Sequence, residues 1–157
     1  MLAIRNVIEQ DYSKMIAVVN DWWNGRQMSE MLPKLFFIHF QPSSFVVEEG
    51  GEIVGFLIGF ISQTNPEEAY IHFVGVHPDK RKDGIGHEMY HLFFNEVKKR
   101  GCQTVRCITS PVNTASIKFH TKMGFQIEEG DKVVDGISVN SDYDGKGNDR
   151  VLFVKSI

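Results

Sequence analysis

Apolar positions along this chain follow two rhythms, one of period two and one near 3.6, and the switches between them mark its elements. Residues 2–7 read as a short strand. A helix is expected from Glu9 to Trp23, because Ile8, Tyr12, Met15, Ile16, Val19 and Trp23 recur at helical spacing, and Asn24-Gly25 ends it. A second helix is expected from Ser29 to about Phe40, with Pro33 near its start. Phe45–Glu48 and Ile53–Ser62, joined through Glu49-Gly50-Gly51, read as a β-hairpin. Asn65-Pro66 marks a turn before a strand at 69–76. The stretch from Gly84 to Arg100 places Ile85, Met89, Leu92, Phe93 and Val97 on one helical face, and Gly101 closes it. Val105–Thr109 is a short strand broken by Ser110-Pro111. Asn113 or Thr114 can cap a fourth helix, whose face is Ala115, Phe119 and Met123. Phe125–Glu128 and Arg150–Lys155 read as the last strands. The order β-α-α-β-β-β-α-β-α-β-β, without repeat or linker, suits one domain over residues 1–157; by itself it says only α+β or α/β.

The chemistry-bearing segment is the junction between the strand at 69–76 and the helix after Gly84. His77-Pro78 stops the strand, Asp79-Lys80-Arg81-Lys82-Asp83 turns, and Gly84-Ile85-Gly86 opens the helix. The first N–H groups of a helix lack internal partners and sit at the positive end of its dipole, so such a junction can hold phosphate. Glycines let backbone approach a ligand, and Arg81 and Lys82 add positive charge. The P-loop pattern is absent, and the dinucleotide fingerprint fails because Met89 stands where its third glycine belongs. Arg81-x-x-Gly84-x-Gly86 resembles the acetyl-coenzyme A signature of the GNAT N-acetyltransferases. Further along, Asn113-Thr114-Ala115-Ser116-Ile117-Lys118-Phe119-His120-Thr121-Lys122-Met123-Gly124-Phe125 resembles that family's second block. The resemblance covers residues 1 to about 127, and His120 stands where the family usually has tyrosine. Read locally instead, the two glycines make a tight turn and the two cations are solvated.

The resemblance implies an α/β (α+β mixed sheet) architecture, the GNAT acyl-CoA N-acyltransferase fold. Its central, mostly antiparallel sheet carries helices on both faces and a splayed parallel strand pair. It also implies acetyl-coenzyme A as cofactor and transfer of acetyl to a primary amine, foremost that of a small molecule. A protein N-terminus or lysine is the alternative acceptor, and a non-catalytic coenzyme A sensor the alternative function. Diphosphate is expected on the backbone from Lys82 through Asp83, Gly84, Ile85 and Gly86 to His87, with Arg81 beside it. The pantetheine arm is expected to pair with Val74 and Val76, and Gly75 suggests a bulge or close approach that splays the strands there. Asn113, Ser116 and Phe119 match coenzyme-contacting positions; helix capping and a solvent-facing hydroxyl are the local alternatives for the first two.

Protons must then move. An alkyl amine resembles lysine, with a reference pKa of about 10.4, so it must lose a proton before attack. The departing thiolate resembles cysteine, at about 8.5, and leaves without a strong acid. His120 is expected to transfer a proton in one direction or the other; packing against the coenzyme arm is its bland alternative. His72 is a second candidate base, because period-two alternation gives it the strand face of Val74, although a hydrogen-bonded sheet residue is an equal reading.

For the acceptor, Trp22, Trp23, Phe36, Phe37 and Phe40 cluster in sequence, with Trp23 taken as a lining residue. Residues 140–150 carry Asn-x-Asp-x-Asp-Gly, half of a calcium loop, but Val151 stands where its glutamate is required. The stretch reads as a polar turn between strands, or as a lid whose Asp142, Tyr143 and Asp144 face a cationic amine.

Composition narrows the rest. A net charge of −3 gives no basic footprint for nucleic acid, and no apolar run is long enough for a membrane span. The start of the chain lacks a signal-peptide pattern. Cys102 and Cys107 make no disulfide framework and no zinc site, which suits a reduced cytoplasmic setting. No metal is expected, and a homodimer stays open because dimers are frequent in the resembling family.

Overall fold

A computed structural model describes residues 2–157, built on a mixed seven-stranded sheet of order β1-β2-β3-β4-β5-β9-β6. The strands are β1 (Leu2–Asn6), β2 (Phe45–Glu49), β3 (Glu52–Ile61), β4 (Glu68–Val76), β5 (Thr104–Thr109), β6 (Gln126–Ile127) and β9 (Val151–Ser156). A separate hairpin pairs β7 (Lys132–Val134) with β8 (Ile137–Val139). Helices α1 (Asp11–Trp22) and α2 (Leu35–His39) cover one face of the sheet, and α3 (Ile85–Lys99) and α4 (Thr114–Lys122) the other. No helix among the described residues is long and apolar enough to cross a membrane.

Two sequence expectations give way to backbone constraints. The helix expected from Ser29 to Phe40 is broken. Residues Ser29–Met31 form a short 3-10 turn, Leu32 leaves the helical region at φ −127° and ψ 61°, and only Leu35–His39 is α-helical. Pro33 is the cause, since its ring disfavours helical geometry in the residue before it. The α4 face also differs: Ile117 and His120 are buried, Phe119 and Met123 half-buried, and Ala115 exposed. The β7–β8 hairpin escaped the periodicity reading, although Asp135-Gly136, both at positive φ, is the two-residue turn that such a hairpin favours.

Glycines on β3 set the depth at which α3 sits. A Cβ on Gly55 would stand 3.0 Å from Ile85 Cγ2, and one on Gly59 would stand 2.4 Å from Phe93 Cε1. α3 therefore lies directly on the strand, with Ile85, Met89, Phe93 and Val97 in the core beneath it. Gly59→Ala is expected to overpack this contact and destabilise the fold by about 1–3 kcal/mol. A lowered urea midpoint with an unchanged denaturant slope checks it.

Candidate active site

The site begins where two parallel strands part. β4 and β5 pair only at Glu68–Thr104, Ala69–Val105 and Tyr70–Arg106. Beyond that point β4 continues beside β3 to Val76, and β5 continues beside β9 to Thr109. The edge of β4 from Ile71 onward thus has no strand partner on the β5 side, and exposed N–H and C=O groups are left for a ligand.

The irregularity that accompanies this parting lies at His72, not at Gly75. Ile58 pairs with Phe73 and Gly59 with Ile71, so His72 is the extra residue of a bulge. Gly75 pairs regularly with Phe56. It is glycine because a Cβ there would meet Phe56 Cε1 at 2.5 Å and Trp23 Cη2 at 2.7 Å. The bulge also reverses the faces of β4. Val74 and Val76 pack towards α3, as Ile71 does, whereas Phe73 joins the core beneath α1. His72 consequently does not share the face of Val74; it stacks on Phe36 of α2 with ring centroids 4.4 Å apart. Its Nε2 donates to the Met31 carbonyl oxygen at 2.5 Å, which leaves the lone pair on Nδ1. Burial holds its pKa below the ordinary histidine value, against a smaller opposite push from that carbonyl.

At the far end of the open strand edge stands the amide-rich turn. Gly84 adopts φ +76°, a left-handed conformation that suits glycine, and serves as the N-cap of α3. Among the described residues, the backbone N–H groups of Lys82, Gly84, Ile85, Gly86 and His87 meet no protein acceptor. The Asp83 amide is excluded from this set, since it donates to the Lys80 carbonyl. The Cβ direction of Gly86 leads towards Phe119 Cζ at 3.6 Å and Val76 Cγ2 at 3.9 Å, into the mouth of the gap between the strands. Ile85 is a core residue and offers only its backbone, while the side chains of Lys82, Asp83 and His87 face solvent. Arg81 is turned back: its guanidinium donates to the carbonyls of Trp22 and Val76, tying the end of α1 to the turn. One carbonyl of the expected pantetheine edge, that of Val76, is therefore already engaged.

α4 closes the gap from the other side. Asn113 caps it, its Oδ1 accepting from the Ser116 amide at 3.1 Å. Phe119 borders Gly86, and His120 points inward, 7% exposed, stacked 4.7 Å from the Phe153 ring. His120 Nδ1 lies 2.8 Å from the Ser116 carbonyl oxygen and 3.2 Å from Ser116 Oγ. Its Nε2 lies 2.7 Å from the hydroxyl of Tyr90 on α3. Burial lowers the His120 pKa and raises that of Tyr90 well above 10. Sequence reasoning overlooked Tyr90, although it follows Gly86 by four residues and so lies on the same helical face.

On the α1 and α2 side, Tyr70, Phe60, Phe40, Phe36 and His72 form a continuous run of rings, the end pairs stacked and the middle ones tilted. Trp23 continues it through Phe73, with centroids 4.9 Å apart, whereas Trp22 and Phe37 are core residues. Tyr143, half-exposed, borders a cavity of about 120 Å³ beside Tyr70, Arg106, Ile108 and Leu152. The carboxylates of its loop are engaged within the protein. Asp142 accepts from the Gly147 amide, Asp144 pairs with Arg150 at 2.8 Å, and Asp149 pairs with Lys132 at 2.7 Å. A larger cavity of about 280 Å³, between Trp22, Val54, His77 and Lys80, involves neither the open strand edge nor the free amides.

This geometry is that of a family. The chain belongs to the acetyltransferase (GNAT) family, whose model matches residues 4–125. It is similar to the L-2,4-diaminobutyric acid acetyltransferase of Virgibacillus pantothenticus, 35% identical over 77 residues, or 49% of this chain and 48% of that one. The match spans about half the length, or less, of this relative and of the L-2,4-diaminobutyric acid acetyltransferase of Nocardia farcinica. Among solved structures it resembles the diaminobutyrate acetyltransferase of Paenibacillus lautus, in complex with L-2,4-diaminobutyric acid and coenzyme A. That match has a TM-score of 0.71 and 22% identity, covering 98% of this chain and 93% of the other. It also resembles the ribosomal-protein-alanine N-acetyltransferase of Brucella melitensis, at a TM-score of 0.73 and 18% identity over 99% of both chains.

One buried histidine, His120, and one half-buried, His72, link stability to pH. Both rings have depressed pKa values in the fold, so below about pH 6.5 the unfolded chain binds more protons than the native one. Their stabilising contribution is complete above that pH and is lost as pH falls through the lowered values. Urea midpoints are expected to drop between about pH 7.5 and 5.5. His120→Gln is expected to make that drop shallower.

Proposed function

We propose that this chain transfers the acetyl group of acetyl-coenzyme A to a primary amine of a small molecule. The observation that carries the reading is the gap between β4 and β5, bordered by an unpaired strand edge and ending at five unpartnered amides. These groups suit a ligand with a diphosphate at one end and an amide-bearing arm. The amides of Lys82, Gly84, Ile85, Gly86 and His87 would take the diphosphate, and the positive end of α3 favours it. Val74, Val76 and Phe119 supply the apolar walls of the gap. Acetyl-coenzyme A supplies an acetyl group activated as a thioester.

The acceptor enters from the opposite face, along the rings from Tyr70 to His72. His72 is suited to accept the amine proton: its ring is neutral, its tautomer is fixed by the Met31 carbonyl, and its Nδ1 carries a lone pair. A small acceptor is favoured over a peptide because the internally bonded loop from Asn140 to Arg150 borders this side through Tyr143, beside Tyr70, whereas a peptide needs an open groove. The small diamine in the names of similar proteins supports the same choice. Their loop partners leave Asp142 and Asp144 poorly placed to bind the substrate's charge, and Tyr143 is the loop residue nearest the rings.

Calorimetry with acetyl-coenzyme A, followed by thiol release across a panel of small amines, tests the proposal. Binding and turnover are expected. Tight binding without turnover on any amine would point to a coenzyme A sensor, and turnover confined to peptide N-termini to a protein acetyltransferase. Gly86→Val is expected to fold, since its Cβ meets only ordinary contacts, yet to lower acetyl-coenzyme A affinity at least tenfold by filling the mouth of the gap. His72→Gln is expected to keep that affinity and to lower kcat/KM about 10²-fold or more. In the wild type, kcat/KM should fall with decreasing pH below about 6.5, as the base becomes protonated.

A further inference from the structure

We propose that His87 and His91 hold a divalent transition-metal ion, zinc foremost, on the first two turns of α3, and that this ion and acetyl-coenzyme A tighten each other's binding. The site stands on its own geometry, and the coupling rests on the acetyl-transfer reading above. No metal was expected from the sequence, where this pair of histidines was overlooked.

The residues run His87-Glu88-Met89-Tyr90-His91, the His-Glu-x-x-His spacing by which one helix presents two imidazoles to one zinc ion. All five lie within α3. Positions four apart are neighbours on a helical surface, and burial sorts the stretch by face. Met89 and Tyr90 point into the core, while His87 and His91 are exposed. Helical geometry swings Glu88 about 100° away from His87, so its carboxylate adds negative charge nearby without joining the pair.

The two rings already stand together. Their centroids lie 4.4 Å apart with the planes at 51°, neither flat against each other nor edge-on. Two Zn–N bonds in tetrahedral geometry place their nitrogens about 3.3 Å apart, within reach of rings at that separation. His91 also packs T-shaped on the core ring of Phe94 at 5.8 Å, which restrains its rotation. The nitrogens of the pair are unspent. His72, His77 and His120 each commit a ring nitrogen to a protein partner. Among the described residues, the rings of His87 and His91 meet each other and Phe94, and commit none. Imidazole suits zinc, copper and nickel rather than magnesium or calcium, which fixes the class of ion.

Two protein ligands leave a tetrahedral ion half-coordinated. Among the described residues no third His, Cys, Asp or Glu joins them, so the other positions are open to water and the ion exchanges readily. The same lack separates this pair from the zinc hydrolases, which use the spacing together with a third protein ligand. What the pair lies beside is the amide-rich turn. His87 contributes its backbone N–H to the five unpartnered amides and its ring to the metal pair. A dication held there stands within a helical turn of the anion cradle. With the cradle empty, it faces the positive end of the α3 dipole; with a diphosphate in place, it meets opposite charge. Each ligand therefore makes the other's site more favourable, and such a coupling is reciprocal.

The probes are zinc chloride and acetyl-coenzyme A, whose thioester carries no free thiol to bind the metal, and the chain is used without a histidine tag. Calorimetric titration with zinc alone should show a single ion bound per chain. His87→Gln and His91→Gln are each expected to weaken it about tenfold or more, since the second arm of a chelate binds at high effective concentration. The double variant should abolish it. In 15N NMR of the wild type, zinc should shift the ring nitrogens of His87 and His91 together and leave those of His72 and His120 in place, a readout that needs no variant. Saturating zinc should then lower the Kd for acetyl-coenzyme A about fivefold in the wild type and leave it unchanged in His91→Gln. Zinc affinity unmoved by either substitution, or ring signals of the pair that ignore zinc, overturns the site and with it the coupling. A Kd for acetyl-coenzyme A indifferent to zinc, or equally sensitive in His91→Gln, overturns the coupling alone. A wild type that binds zinc at the pair but no acetyl-coenzyme A supports the site and overturns the functional reading and the coupling together.

Discussion

Parallel pairing between β4 and β5 lasts for three residue pairs and then stops. Most of the functional geometry depends on that interruption. A sheet that zipped fully would satisfy its own backbone and leave no ladder for a ligand. Here each strand stays anchored on its outer side, β4 to β3 and β5 to β9, so the interruption does not unravel the sheet. The bulge at His72 sharpens the effect. It turns Val74 and Val76 towards α3 and aims His72 at α2, so one irregular residue separates an aliphatic wall on one face of the sheet from an aromatic run on the other.

The turn before α3 and the cap of α4 were legible in sequence, because they depend on local backbone. Gly84 must hold a positive φ, and Gly86 follows it at the start of a helix, so spacing alone locates the turn. Asn113 likewise caps α4 as its position suggests. What stayed hidden is non-local. Period-two reading gave His72 and Val74 one face because a bulge leaves no mark in a single strand's pattern. Gly75 looked like the site of the bulge, yet its constraint comes from Trp23 and Phe56, residues 52 and 19 positions earlier. Arg81 looked free for phosphate, but its carbonyl partner on α1 lies 59 residues away. Tyr90 went unremarked beside the apolar face of its helix, and only the packing of α4 against α3 gives its hydroxyl a partner.

Replacing the family's tyrosine by His120 changes more than one side chain. A tyrosine at that position would carry its own hydroxyl, whereas imidazole carries two nitrogens that need partners when buried. Ser116, one helical turn earlier, meets one, and Tyr90 meets the other. The phenol is thus still present in the interior, contributed by a different helix.

The acceptor side shows a matching restraint in its use of charge. A carboxylate beside the attacking nitrogen would attract an ammonium ion but also raise its pKa, favouring binding over reactivity. In this chain the nearby loop carboxylates are neutralised: Asp144 by Arg150, Asp149 by Lys132, while Asp142 serves the loop's own backbone. Arg106 is shared between Glu68 and Glu128. What remains along the path to His72 is aromatic. Ring faces attract a cation weakly and without a proton acceptor, so they guide an amine without fixing it in its protonated form. On the proposed reading, that leaves deprotonation to a single neutral imidazole at the bulge in β4.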